Sequence, residues 1–384
     1  MADTNKKIKE PFLRIAEKGV VPRGYGWAVR GSALAISLLV CSIFIFFVAG
    51  ASPIRAFKEM WAGTFGIPGN SLSMKIRCWD SAIYAAKLLC IAVALAPAFK
   101  MKFWNIGAEG QVIIGAMSSA FVLYYFSEDM PLPVLFIVMF TVCILAGAIW
   151  GIIPAVCKAF FDTNETLFTL MMNYVAMRIM DYFYNDWKGL NAGLPKLNES
   201  TKIGYLPEIL GKGYFINIVV FILIAVGMYF YLSKTKHGYE ISVVGESVNT
   251  ARYAGINVKK VIIRTMAISG AICGLCGGLT IAGETHCITL TSALVNPITN
   301  GYGFTAIIVA WLAKFNTLVM IAISMLIVFL EKGMGQLGNV YPEFSTGSGN
   351  VLIGIVLFFI IGSEFFIRYR LIFRNKKKEA SENA

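Results

Sequence analysis

Charge is what this 384-residue sequence has least of: Asp, Glu, Lys and Arg together make up 15% of it, against about 25% in soluble globular proteins. So few charges cannot cover the water-facing surface of a chain this long, which excludes an ordinary soluble enzyme. A phosphate-cradling loop is also missing. No G-x-x-x-x-G-K-[ST] occurs, and the nearest string, Gly211-Lys212-Gly213, lacks both the spacing and the hydroxyl that a nucleotide site needs. With two histidines in the whole chain, no convincing His, Asp or Cys constellation for catalysis can be assembled. The eight cysteines fall mostly inside apolar runs, where a thiol behaves as a small hydrophobe. Cys273-x-x-Cys276 has no second Cys or His pair at metal spacing. The sequence reads as a non-enzyme with no metal site and no cofactor of its own.

What is abundant is apolar surface. Hydrophobic residues reach 57%, above the roughly 45–50% of globular chains, and they gather into runs of membrane-span length, about 20 residues. Ten windows emerge, near 32–50, 81–99, 106–125, 132–155, 166–184, 214–232, 262–282, 299–313, 316–331 and 350–368. The predicted fold class is all-α, a polytopic transmembrane helical bundle of about ten spans. The windows at 106–125, 299–313 and 316–331 are polar or short and read as partial, broken or re-entrant helices, which membranes tolerate where protein shields the backbone. The amphipathic stretch from Pro53 to Trp61 reads as a helix lying at the interface.

The formal net charge of +12 could suggest nucleic acid, but its distribution argues otherwise. Basic residues cluster beside apolar runs: Lys6, Lys7, Lys9, Arg14, Lys18 and Arg23 before the first, Arg368, Arg370, Arg374, Lys376, Lys377 and Lys378 after the last. A nucleic-acid binder gathers basic and aromatic residues on one polar face; here the expected partner is membrane lipid, with no nucleic acid. One side of the windows holds the N-terminal tail, Lys100, Lys102, Lys158, the 233–264 loop, Lys314 and the C-terminal tail. That side carries the larger share of Lys and Arg and is therefore cytoplasmic. Both termini then face the cytoplasm, which requires an even number of spans, as ten is. The domain reading is a cytoplasmic N-terminal tail over 1–31, a transmembrane domain over 32–370 containing the inner loop 233–264, and a basic cytoplasmic tail over 371–384. The N-terminus is charged for some thirty residues before the first apolar run, unlike a secretory signal with its short positive region, and reads as a cytoplasmic leader followed by a retained first span.

Polar residues inside apolar windows mark what the bundle does, because burying them in hydrocarbon is expensive. The segment Asn105-Ile106-Gly107-Ala108-Glu109-Gly110-Gln111 places a carboxylate and two amides at one end of a window. Two readings stand: a packing knot satisfied by neighbouring donors, or a pathway or gate. Asn164, Glu165 and Asn173 allow the same pair of readings, as helix caps and interhelical bonds or as pathway residues, and so do Asn300 and Tyr302. Lys87 lies mid-window and must snorkel, pair or face water; Glu109 is a candidate partner. Gly270-x-x-x-Gly274-x-x-x-Gly278 and Gly147-x-x-x-Gly151 are small-residue faces that let helices approach closely.

The string Asn105 to Gln111, NIGAEGQ, preceded by Phe99-Lys100-Met101-Lys102, resembles the signature of permeases of bacterial ABC importers for simple sugars and nucleosides, within the branched-chain amino acid and ribose permease-like superfamily. Three further stretches resemble that family in the same order. Asn164-Glu165 through Thr169-Leu170-Met171 to Asn173-Tyr174 is similar to N-E-x-x-x-T-L-M-x-N-Y. Gly245-Glu246-Ser247-Val248-Asn249-Thr250-Ala251-Arg252-Tyr253-Ala254-Gly255 is similar to its G-x-N-x-x-A-A-R-Y-A-G. Gly301-Tyr302-Gly303-Phe304 is similar to G-Y-G-F. Thr250 replaces the first alanine and Ser247 a common asparagine, and the stretch from Gly283 to Thr289 matches no family pattern.

The resemblance implies a pore-forming subunit of an ATP-driven importer that moves a nucleoside or simple sugar by alternating access, with the nucleoside-type branch fitting best. It implies cytoplasmic ABC ATPase subunits carrying ATP and magnesium, a second permease subunit, identical or different, and an extracellular substrate-binding protein. Independently of the resemblance, the outer loop 185–213, rich in Gly, Asn and Pro, reads as a cap on the pore mouth. ATPase coupling falls on a short amphipathic helix near 247–255, with Gly245, Glu246, Val248, Ala251, Tyr253, Ala254 and Gly255, the two glycines bounding it. The candidate pathway residues are Asn105, Glu109, Gln111, Asn164, Glu165, Asn173, Asn300 and Tyr302. The competing reading is an ion-coupled secondary transporter using Glu109, Glu165 or Lys87 as its coupling charge.

Overall fold

A computed structural model of the chain describes residues 13–19, 22–187, 197–288, 298–344 and 346–373. The basic clusters at 6–9 and 374–378 and residues 188–196 of the 185–213 loop lie outside the described residues. Helix is the rule because an apolar stretch deprived of water must satisfy its backbone N–H and C=O groups internally. Thirteen α-helices are present among the described residues: α1 (Arg23–Ala49), α2 (Pro53–Phe65), α3 (Ser71–Lys100), α4 (Ala108–Phe126), α5 (Leu132–Phe161), α6 (Glu165–Trp187), α7 (Phe215–Lys234), α8 (Lys236–Glu246), α9 (Val248–Tyr253), α10 (Val258–Thr280), α11 (Tyr302–Leu312), α12 (Thr317–Val340) and α13 (Thr346–Arg368). A π-helical turn, Ile281–Thr285, follows α10, and two strands, β1 (Leu13–Glu17) and β2 (Tyr369–Phe373), complete the elements.

Seven helices are long and apolar enough to cross a membrane, namely α1, α3, α5, α7, α10, α12 and α13. Helices α4 and α6 have the length, 19 and 23 residues, but carry the polar residues noted above. Helix α11 has 11 residues, a rise of about 16 Å, roughly half the hydrocarbon thickness; this window is a half-helix. The neighbouring window at 316–331 is not partial: α12 continues for 24 residues, since Glu331, Lys332 and Gln336 end the apolar run without ending the helix. The inner loop 233–264 is also more ordered than expected. It holds α8 and α9, and Gly245 sits inside α8 rather than at a helix boundary. Gly255 does serve as a boundary, with φ +76° just beyond α9.

The chain divides into two compact units, residues 1–63 with 330–384, and residues 64–329. In the first, α1 packs along α13. Phe44 meets Phe344 edge-on with ring centroids 6.3 Å apart, and Arg30 pairs with Glu364 at 3.2 Å. The terminal segments, expected as separate tails, instead form an antiparallel ribbon in which Ile15 stands opposite Leu371, and α1 starts at Arg23, inside the expected tail.

The second unit is built around close approach of α4, α5 and α10. A Cβ on Gly147 would lie 2.7 Å from Gly274 Cα, and Gly277 lies against the Val112 carbonyl of α4. The two small-residue faces therefore meet each other, which lets three helices pack backbone to backbone. Beside them the apolar part of α3 is largely enclosed, with 83% of its apolar window buried, whereas α5 and α7 turn Ile137, Leu145, Ile149 and Leu223 outward. Such outward apolar faces suit lipid, not water.

Candidate functional site

Pro97 lies in the last turn of α3 and Lys102, at φ +62°, ends it, so the chain turns through residues 101–107 before α4 begins. Asn105 is fully buried in that turn. Its Oδ1 accepts from Gly107 N at 2.9 Å and its Nδ2 donates to Ser269 Oγ at 3.4 Å. Asn173 on α6 closes the other side, accepting from Gly110 N at 2.8 Å and donating to the Ile106 carbonyl at 2.9 Å. Thr169 adds a hydroxyl that accepts from Ile106 N at 3.1 Å. These amides satisfy the backbone donors that every helix start leaves unpaired. Asn105 and Asn173 thus join the 101–107 turn and the start of α4 to α6 and α10.

Glu109 is different. It is fully buried and its carboxylate reaches the start of the half-helix: Oε2 accepts from Gly303 N at 2.8 Å, and Oε1 accepts from the Thr299 hydroxyl. An anion at a helix N-terminus is favoured by the aligned peptide dipoles. Gly303 permits the approach, since a Cβ there would stand 2.6 Å from Glu109 Oε2. Gln111, also buried, has an Oε1 with no hydrogen-bond partner among the described residues, and its Nε2 lies near Gly151.

Lys87 does not pair with Glu109. Its Nζ stands 2.6 Å from Glu284 Oε2, in the π-helical turn after α10, with side-chain exposures of 3% and 16%. Removing both charges from water is costly, and only close pairing offsets it. Lys87 Nζ also lies 5.5 Å from the Tyr84 ring, and Tyr84 meets the buried Tyr302 edge-on at 6.0 Å. Farther along α3, Asp80 accepts from the Tyr214 hydroxyl at 3.1 Å. A polar line thus runs from Glu284 and Lys87 through Tyr84 and Tyr302 to Gly303 and Glu109, contributed by α3, α4, α11 and the π-helical turn.

The remaining candidates lie elsewhere. Asn164 is exposed and caps α6, accepting from Leu167 N at 3.1 Å, while Glu165 pairs with Lys158 at 3.2 Å. Asn300 is exposed in the turn before α11, at φ +51°. Of the coupling residues, Ala251 and Gly245 are buried, whereas Glu246, Val248, Ala254 and Gly255 are exposed and Tyr253 stands 93% exposed. Nearby, Arg264 donates to Glu240 at 2.9 Å, a bond that holds the Glu240 carboxyl below its ordinary range. Sequence reasoning missed Thr299, Gly303 and Glu284. The last lay in the stretch that matched no pattern, and an isolated acid directly after an apolar window was its available signal.

A lipid-suited helical bundle with a buried polar line and a half-helix defines an integral membrane permease. The chain belongs to the family described as branched-chain amino acid transport system / permease component, whose model matches residues 79–361. It is similar to the guanosine ABC transporter permease protein NupP of Bacillus subtilis, 29% identical over 89% of this chain and 95% of that one. It is likewise similar to the glucose ABC transporter permease protein TsgB13 of Haloferax volcanii, 26% identical over 94% and 93%. The nucleoside ABC transporter permease protein NupB of Lactococcus lactis is 24% identical over 85% and 88%. No solved structure matches the chain. This protein is a multi-pass membrane permease, the pore-forming subunit of an ABC importer.

Proposed function

We propose that this permease imports a nucleoside, ahead of a simple sugar, across a bacterial inner membrane by alternating access. The observation that carries the reading is its similarity, over most of its length, to permeases named for guanosine and for nucleosides. Energy comes from separate cytoplasmic ATPase subunits, since the sequence has no phosphate-cradling loop. A second permease subunit completes the pore and an extracellular binding protein delivers the solute. The buried polar line is the segment of the pathway that changes hands between outward and inward states, with Glu109 against the start of the half-helix and Tyr302 as its first residue, and Gln111 facing the pathway from the α5 side. Helix α9 meets the ATPase through its exposed face, Val248, Tyr253 and Ala254, which presents small and aromatic groups to a partner groove.

The experiment is uptake into proteoliposomes holding this chain with its ATPase subunits and binding protein. Uptake should require ATP and discriminate nucleosides from glucose, and Tyr253→Glu should leave membrane insertion intact while cutting transport per ATP hydrolysed by about tenfold or more. Accumulation by the chain alone under a proton or sodium gradient would instead establish an ion-coupled carrier.

A further inference from the structure

Away from the polar line, at the adjoining ends of α5 and α10, the second unit has an open pocket of about 520 Å³, lined by Phe160, Asn257, Lys259, Lys260, Ile263 and Arg264. Its chemistry is one-sided. Lys259 Nζ lies 4.4 Å from the Phe160 ring centroid, and neither Lys259 nor Lys260 has an acidic partner among the described residues. Arg264 gives one nitrogen to Glu240 at 2.9 Å and lies beside Tyr231, while its buried Nε has no hydrogen-bond partner among the described residues. The nearby acids Asp162 and Glu165 are both held by Lys158, at 2.7 and 3.2 Å. No acidic residue occupies the first turn of α10, where the helix dipole favours an anion. Two lysines sit there instead, so the cations at this helix start are short of a counter-charge.

Apolar surface adjoins the cations. Phe160 and Phe161 are 58% and 75% exposed, and they end a helix long and apolar enough to span a membrane. Cations in a concavity, flanked by exposed rings at the end of such a helix, match a molecule with an anionic head and hydrocarbon tails.

We propose that this pocket binds the phosphate headgroup of an anionic membrane lipid, with Lys259, Lys260 and Arg264 on the phosphate and the acyl chains against Phe160 and Phe161. A free phosphate shares the head chemistry but leaves the exposed rings unused. Because α10 follows α9 after four residues, an occupied pocket would tie the segment beside the coupling helix to the membrane surface. The site does not depend on which solute is carried.

Native mass spectrometry of the purified chain, held in phosphatidylcholine and titrated with phosphatidylglycerol, reads the occupancy directly. The double variant Lys259→Gln, Lys260→Gln should lower phosphatidylglycerol retention roughly tenfold or more. A control, Lys234→Gln with Lys236→Gln, removes the same charge from neighbouring exposed positions and should lower it less than about threefold. Equal losses in both variants, or none in either, overturn the pocket and leave only general surface attraction. Inorganic phosphate provides the other arm. If it displaces phosphatidylglycerol from the wild-type chain with the same lysine dependence, the ligand is a free anion and the lipid assignment fails.

Discussion

Deleting the Glu109 carboxylate should loosen the start of α11. Its two oxygens accept from Gly303 N and from the Thr299 hydroxyl in a fully buried setting. Hydrogen bonds contribute about 0.5–1.5 kcal/mol each, or up to about 3 to a charged acceptor, so Glu109→Ala should cost roughly 1–6 kcal/mol, leaving the Gly303 N–H without its acceptor. Glu109→Gln keeps the shape and one carbonyl oxygen for Gly303 and should cost about 1–3 kcal/mol. Thr299→Val should cost about 1–3 kcal/mol by itself. Because the two side chains touch, the Glu109→Gln, Thr299→Val double variant should depart from the sum of the singles by about 0.5–3 kcal/mol. Equilibrium unfolding in mixed detergent micelles measures all four corners of this cycle. Additivity to within about 0.5 kcal/mol would refute the idea that the carboxylate pins the half-helix, and Glu109 would then be an independent buried acid.

Three further outcomes follow from the same packing. Lys87→Met should cost about 3–5 kcal/mol because it strands Glu284 as a buried charge, whereas Lys87→Met combined with Glu284→Gln should recover much of that loss; a double variant as unstable as the single, in the same unfolding assay, contradicts the pairing. Gly245→Ala should disrupt the seat of α8, since a Cβ there would overlap the Lys100 carbonyl and lie 3.1 Å from Met101 Cα; ATP hydrolysis should continue while uptake falls, and a variant with undiminished transport per ATP removes α8 from the coupling route. Arg264 holds the Glu240 carboxyl below its ordinary range, so the pair's contribution stands in full above the ordinary glutamate pKa, about 4.3, and is lost as pH falls through the lowered value. Glu240→Gln should therefore be less stable than wild type at neutral pH, with the gap closing below about pH 4; a gap independent of pH excludes this pair as its source.

Helices were the legible part of this molecule, because a span announces itself over about 20 residues of one-dimensional hydropathy. The small-residue faces at Gly147 and Gly270 were legible too, down to the two helices that carry them, since close approach needs missing side chains. Partnerships were not. Lys87 declared itself expensive by its position, but its partner Glu284 lies 197 positions away in sequence, in a π-helical turn that no periodicity marks. Asn105 and Asn173 looked equally able to serve as gate or as fastener, and the bonds they make to Gly107, Gly110 and Ile106 join positions that no one-dimensional pattern pairs. The ribbon between β1 and β2 escaped because each strand is five residues long and sits among charged residues that read as tail.

One physical connection runs through these parts. Gly245 of α8 rests on the last residue of α3, Lys100, and on Met101, where the 101–107 turn begins. That turn is stiffened by Asn105, which holds Gly107, and by Asn173, which holds both Ile106 and Gly110. Glu109 follows directly and grips the start of α11. In the proposed mechanism a push on α8 would reach the half-helix through these backbone contacts and hydrogen bonds. Packed elements of this kind shift between discrete arrangements rather than deform gradually. In that mechanism the half-helix is the element that would move: it is short, begins at a turn, packs on α3 through Tyr302 and Tyr84, and meets the Glu109 carboxylate at its first turn.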